Sequence, residues 1–599
     1  MKCVVKVYIV GYNKNKMDFY LREIKLMRKK IPYGISNYKK IVEGNYIFVD
    51  KTKHIEKLEN LHAPFLFFLR PRRFGKSLFT SILENYYDIN SKSDFEKLFG
   101  NTYIGQHPTK EKNSYYVLKF NFSKLNTESK DTLEESFLRT INKSFRDFVH
   151  KYKLNINYNN KGFPASVFEE FLSEVSYVID KPIYVIIDEY DHFANELLSF
   201  KTNMFSEIIS KTGFVRKWYE VLKIGTESII EKIFATGVSP ITLDSLTSGF
   251  NIGSDITRDV RFNEMMGFTY DEVRNLIIDT SKEEPQLEEL DKIMIELKKN
   301  YNGYLFSAKA KNRVFNSDMI LYYLKSYEDF GEGPQEIIDT NIASDYAKLG
   351  NMFNLKNKTN NMKILDSILK GEVIKTEITS QFSMEKDFEE DDFKSLLFYL
   401  GMLTIDKEIL NRVSLKVQNY AVEGLYFDFF MKKLNESVNY ELSISEIKEA
   451  MEQLALEGNN ESLVKIVEKT LNKLSNRDYI KFDEKYVKII FLTYCFLSKL
   501  YLVKSEYEVE SGYIDIALLK QSNITPTYFA IFELKYISKK EYEEKGGIIV
   551  QEKLKEAVRQ LDKYKSSAEL VNLNNLKRYA VVFVYDKCVV NEEVKFIVQ

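Results

Sequence analysis

Gly75-Lys76-Ser77 and Asp188-Glu189 are residues whose types and order suggest phosphate chemistry. A nucleoside triphosphate needs main-chain N–H groups around its phosphates, an ammonium on the outer phosphates and a hydroxyl on Mg2+. Gly75, Lys76 and Ser77 supply the last part of that set. Asp188-Glu189 closes Ile183-Tyr184-Val185-Ile186-Ile187, an apolar run of strand length. There Asp188 would help hold the cation beside the Ser77 hydroxyl, and Glu189 would polarise the attacking water as general base. Either run alone also fits a surface turn, or a buried strand with a solvated end. The two together, at this spacing, favour a P-loop followed by a Walker B strand.

The full run is Arg70-Pro71-Arg72-Arg73-Phe74-Gly75-Lys76-Ser77. It departs from G-x4-G-K-[ST] at its first position, where Arg70 replaces glycine. Arg72 and Arg73 add positive charge beside the phosphates. The candidate nucleotide-binding set is therefore Arg70, Arg72, Arg73, Phe74, Gly75, Lys76, Ser77, Asp188 and Thr236. Thr236 or Ser239, in Ala235-Thr236-Gly237-Val238-Ser239, is placed to contact the γ-phosphate or orient water from a sensor strand. Arg258 and Arg261 are candidate arginine fingers, although a solvated face or a salt bridge is the more ordinary fate of each.

A second constellation lies near the C-terminal end. A Mg2+-dependent nuclease needs two carboxylates on one metal and a lysine near the attacked phosphate. Gly512-Tyr513-Ile514-Asp515-Ile516 and Phe532-Glu533-Leu534-Lys535 offer all three. Glu533 and Lys535 are two apart and share a strand face. A hairpin turning at Lys520–Pro526 would bring Asp515 beside Glu533. Asp515 and Glu533 would then be ligands, with Lys535 positioning or activating water. A Glu–Lys pair on one solvated strand face is the competing reading.

These residues need particular elements to position them. Phe65–Leu69, Tyr115–Phe122, Ile183–Ile187 and Lys232–Thr236 read as buried strands alternating with helical stretches such as Ser77–Tyr87, which predicts a doubly wound parallel sheet. Thr269-Tyr270-Asp271-Glu272 reads as a capping box that opens a helix. From there to about 475 the pattern is mostly helical, with few β-runs. Beyond 478 the order is helix (about 480–500), strands (about 503–509, 512–519 and 527–536), helix (about 551–568) and strand Tyr579–Tyr585. The expected division is residues 1–30 as an N-terminal extension, 31–267 as the nucleotide-binding domain, 268–475 as a helical linker or lid, and 476–599 as the nuclease-like domain.

Composition narrows the classes. The 599 residues are 44% hydrophobic and 14% aromatic, so a large core can form. The net charge of −1 removes the easy argument for non-specific nucleic-acid binding without excluding a local basic groove. Cys3, Cys495 and Cys588 form no CxxC pair, and the five histidines all lie at or before His192. Metal chemistry in the later part of the chain must use carboxylates, which points to a hard ion such as Mg2+. No apolar run reaches about 18 residues without a charge, and no signal-peptide pattern opens the chain, so a cytoplasmic protein with no membrane partner is expected.

Several segments together resemble the bacterial AAA-ATPase-like proteins: Ile31-Pro32-Tyr33-Gly34-Ile35, Phe48-Val49-Asp50-Lys51-Thr52, the Arg70–Ser77 run, Asp188-Glu189-Tyr190-Asp191, Ser248-Gly249-Phe250-Asn251, Gly267-Phe268-Thr269 and Tyr301-Asn302-Gly303-Tyr304. In that family the arginine-rich P-loop is usual. The resemblance implies a C-terminal domain of the PD-(D/E)XK nuclease superfamily with an αβββαβ restriction-endonuclease-like core. It makes Glu484, on the preceding helix, and Gln560 and Tyr564, a Q-x3-Y pair on the following one, further candidates for the nuclease site. It also suggests Met27 as a candidate start. The expected function is ATP binding and hydrolysis, with ATP and Mg2+ as cofactors, coupled to cleavage of DNA. The rival is an ATP-dependent switch or scaffold whose nuclease-like domain only binds nucleic acid or a protein. A homo-oligomer is open: a ring would bring an arginine from a neighbouring copy to the γ-phosphate.

Overall fold

The computed structural model describes residues 29–194, 197, 207–208, 213–240, 252–281, 285–343, 358–382, 389–438, 443–474, 483–521, 524–571 and 573–595. Met27 and Ser248-Gly249-Phe250-Asn251 lie outside the described residues. The rest fall into two compact units that part between Glu332 and Gly333, with residues 380–382 and Tyr399–Gly401 returning to the first.

The first unit is built on β1 (Phe65–Leu69), β2 (Tyr116–Asn121), β3 (Ile183–Asp188), β4 (Ile230–Gly237) and the short β5 (Ser254–Asp255). They form one parallel sheet in the order β2-β3-β4-β1-β5. Every residue of β3 is buried, as a central strand covered on both faces requires. Helix α1 (Lys76–Tyr87) follows β1, and α2 (Lys130–Tyr152), α3 (Pro164–Ser176) and α4 (Phe214–Gly225) come later in the chain. Ser129 and Thr132 close a capping box on α2, and Pro164 starts α3, where its missing N–H costs nothing. Much of the aromatic content sits here. Trp218 of α4 stacks on Phe168 and meets Phe120, Phe122 and Phe137 edge-on, with centroids 5.0–5.7 Å apart. Thr269 and Glu272 form the expected capping box of α5 (Tyr270–Thr280), and Glu272 also pairs with buried Lys51 at 2.6 Å.

The stretch read as mostly helical also holds a three-stranded antiparallel sheet, β6 (Ile374–Thr376), β8 (Arg412–Lys416) and β7 (Thr404–Ile409) in that order. It lies in the second unit. Its strands escape sequence reading because they are short and the outer half of β7, Asp406-Lys407-Glu408, is charged, with Lys407 and Glu408 exposed to solvent.

The core of the second unit is α6 (Glu484–Ser498), β9 (Leu502–Val509), β10 (Gly512–Leu519), β11 (Phe529–Ile537), α7 (Gly547–Lys563) and β12 (Leu576–Val584), the predicted αβββαβ order. A short helix (Lys539–Lys545) precedes α7, and a further strand, β13 (Lys587–Glu593), adds to one edge. The sheet order is β13-β12-β11-β10-β9. Only β11 and β12 run parallel, and α7 is the crossover that parallel pairing demands. One face of the sheet packs on α6 with the helices Tyr420–Val438, Ile444–Glu457 and Glu461–Leu474, the other on α7. Being covered on both faces keeps β11 almost wholly buried.

Candidate nucleotide and metal sites

The P-loop is a real strand-to-helix turn. It leaves β1 at Leu69 and enters α1 at Lys76 through two left-handed residues, Arg73 (φ 70°) and Gly75 (φ 91°). Glycine takes that conformation at little cost, and Arg73 is strained by it. The loop is held from behind through its carbonyls. Arg72 O accepts from Asn316 Nδ2 (3.4 Å), Arg73 O from Asp318 N (3.3 Å), and Phe74 O from Gly267 N (3.3 Å) and Ser317 Oγ (3.4 Å). A planar trans peptide points its N–H opposite its C=O, so the N–H groups of Arg73, Phe74 and Gly75 are turned the other way. Successive main-chain N–H groups at the start of a helix can form an anion cradle. Phe74 anchors the loop by packing edge-on against Tyr304 (4.9 Å) and Phe306 (5.4 Å).

Arg70 explains the absent first glycine. Its guanidinium is fully buried between the rings of Phe68 (4.1 Å) and Phe306 (4.0 Å) and donates to Leu69 O, Thr257 O and Phe262 O, each at 2.8 Å. Expected at the phosphates, this side chain is turned into the core instead. Only its carbonyl reaches the site: the buried Lys76 ammonium donates to Arg70 O and Pro71 O, both at 3.0 Å. Arg73 pairs with Asp318 at 3.3 Å.

β3 delivers the acids. Its C-terminal end lies at the same edge of the parallel sheet as that of β1, with β4 between them. Asp188 is buried: Oδ2 accepts from Asn121 Nδ2 (3.2 Å) and Oδ1 has no hydrogen-bond partner. A buried orphan acceptor of this kind fits a cation ligand. Glu189 adopts a left-handed φ of 56°, and its Oε2 is 3.4 Å from His192 Nδ1. Burial raises the Glu189 pKa above the usual carboxylate range, against the pull of Lys76. Burial likewise lowers that of Lys76, opposed by Glu189, Asp191 and Asp188. Sequence reading gave Asp191 no role. It is buried and accepts from Val238 N, Ser239 N and Ser239 Oγ, pinning the end of β4 to the end of β3. Gly237 is obligatory beside it, since a Cβ there would lie 2.3 Å from Asp191 Oδ1. The two expected sensor hydroxyls have structural partners, Thr236 on Phe68 O (2.8 Å) and Ser239 on Asp191 (3.1 Å). Arg261 chelates Asp259, the salt bridge that was its ordinary alternative.

In the second unit, the predicted carboxylates meet. The β10–β11 ladder runs to the pair Ile516–Phe532, and one step beyond it Asp515 faces Glu533. Asp515 Oδ2 accepts from Leu534 N (2.9 Å), while Glu533 Oε1 accepts weakly from Asp515 N (3.4 Å). Lys535 Nζ lies 3.6 Å from Glu533 Oε2, an oxygen that is buried and has no hydrogen-bond partner. Glu533 is only 1% exposed, and its pKa is pushed up to about 8, first by burial and then by the Asp515 charge, with Lys535 opposing. Glu484 reaches the same end of the sheet: Oε2 accepts from Tyr536 N (3.3 Å), and burial followed by Asp515 raises its pKa against the pull of Lys535. Tyr564 donates to Tyr513 O (2.6 Å), and burial, then Glu533, raises its pKa. Gln560 Oε1 is buried without a partner. Among the described residues no group of three or more His, Cys, Asp or Glu side chains is gathered for a metal. Two carboxylates suffice for Mg2+, which keeps waters and takes the rest of its ligands from substrate phosphate. Sequence reading missed Lys488, one helical turn after Glu484. The signal was a lone charge inside the apolar run Tyr486–Leu492. Its ammonium lies 3.4 Å from Asp515 Oδ1 and also pairs with Glu506.

Residues 32–247 match the family described as predicted AAA-ATPase, and residues 482–593 match the PD-(D/E)XK nuclease superfamily. The chain is also similar to a protein of Azotobacter chroococcum mcd 1 described as an uncharacterized protein in the vnfD 5' region. They share 28% identity over 310 residues, 50% of this chain and 53% of that protein. The chain thus spans about half the length of that curated relative.

Proposed function

We propose that the first unit binds and hydrolyses ATP with Mg2+ and that the second cuts DNA with Mg2+, the nucleotide state controlling the cutting. The observation that carries the nuclease is the meeting of Asp515 and Glu533 beside Lys535, with a buried Glu533 oxygen awaiting a partner. A divalent cation bound there would polarise the scissile phosphate and supply an activated water. Asp515 and Glu533 would hold it, and Lys535 would orient the water or the phosphate. In the first unit, the N–H cradle of Arg73–Gly75 and the Lys76 ammonium would take the phosphates, Ser77 and Asp188 the cation, and Glu189 the proton of the attacking water.

The test is cleavage of linear, circular and single-stranded DNA with Mg2+ or Mn2+, with and without ATP. Cutting lost in Asp515→Ala and no longer ATP-dependent in Lys76→Ala is the expected result. ATP turnover without cutting of any substrate would leave an ATP-driven switch whose second unit only binds.

A further inference from the structure

Lys488 has no place in the mechanism above, yet it is 7% exposed and its charge sits on a metal-ligand candidate. It projects from α6 on the same face as Glu484, four residues earlier. Two carboxylates hold it, half-buried Asp515 (3.4 Å) and the more open Glu506. Glu506 is itself unusual. The β9–β10 register brackets it opposite Asp515, between the pairs Tyr507–Ile514 and Ser505–Ile516. There it adopts φ 46°, a left-handed conformation inside a strand and costly for a residue with a side chain. Strain of this sort persists where the surroundings over-determine it.

We propose that Lys488, tethered by Glu506, is a built-in competitor of the divalent cation for Asp515, and so a positioning residue that sets the metal affinity of the second unit. The proposal rests on the reading of Asp515 and Glu533 as metal ligands. A fixed ammonium within contact distance of a ligand carboxylate neutralises it while no metal is bound and repels the arriving cation. Glu506 supplies the counter-charge that draws the ammonium away. The two partners therefore act with opposite sign: removing the lysine charge frees Asp515, whereas removing the Glu506 charge leaves the ammonium to Asp515 alone.

The experiment is Mn2+ titration of the full chain by calorimetry, without nucleic acid, on the parent protein, Lys488→Met, Glu506→Gln and Asp515→Asn. Lys488→Met should bind Mn2+ about tenfold more tightly, and Glu506→Gln several-fold more weakly. Glu506→Gln alters a largely exposed side chain and will fold. A merely structural lysine would give weaker or unchanged binding in both variants. If the parent binds Mn2+, Asp515→Asn does not, and Lys488→Met matches the parent, the tuning role is overturned while the metal site stands. If Asp515→Asn binds as the parent does, the metal reading of this site fails, and the proposal with it.

Discussion

A buried charge is stable only when its surroundings replace water. Lys76 rests on two loop carbonyls, which a triphosphate can outbid. Lys76→Ala should weaken nucleotide or transition-state binding by about 2–4 kcal/mol, read as nucleotide affinity and phosphate release. Unchanged values would remove the P-loop assignment. Glu533 gives a pH signature. Its proton is bound more tightly in the folded protein than in the unfolded chain, so the stability it contributes is full below the ordinary carboxylate pKa and is lost as pH rises to about 8. In chelator, the melting temperature of the second unit should therefore fall more steeply for the parent between about pH 5 and pH 8 than for Glu533→Gln, which has no proton to lose. Equal slopes would show that Glu533 does not titrate in this range.

At the scale of elements, the P-loop is shaped by segments far away in the chain. Phe74 and Arg70 share an aromatic box with Phe68, Tyr304 and Phe306, while Asn316, Ser317 and Asp318 hold the loop carbonyls. Phe74→Ala should cost about 3–5 kcal/mol of stability in the first unit and weaken ATP binding, because the cradle loses its anchor. A stability loss with unaltered affinity would mean that the loop does not depend on this packing. Asp191 joins β3 to β4 in the same way. Asp191→Ala strands three donors and should destabilise by at least about 2 kcal/mol. ATP turnover should fall more than ATP affinity, since Asp191 fixes the neighbourhood of Glu189 rather than the cradle; equal losses would place it in phosphate binding.

For the whole molecule, two compact units, each with its own proposed ligand site, predict two thermal transitions in calorimetry. MgATP at about 100 times its Kd should raise the first by about 2.7 kcal/mol of stability, and Mn2+ should raise the second. Lys76→Ala should abolish the first shift alone, and Asp515→Asn the second alone. A single transition raised by either ligand would mean that the units unfold as one.

The order of elements around both candidate sites was legible in the sequence, whereas the three-stranded sheet β6–β8 was not. Buried strands such as Phe65–Leu69 and Ile183–Asp188 advertise themselves as short apolar runs, and Gly75 and the Thr269 capping box mark where helices begin. Asp515, Glu533 and Lys535 could be paired because a hairpin register relates sequence distance to spatial distance directly. The direction of individual side chains was not legible. Arg70 reads as one more phosphate contact until Phe306 and Phe262, far along the chain, turn it inward. Asp191, Lys488 and the Asn316–Asp318 support likewise draw their meaning from partners on other elements. Periodicity and propensity are local, so they fix strands, helices and turns; packing and charge pairing are set by residues brought together only on folding, and tertiary structure alone decides which donor meets which acceptor.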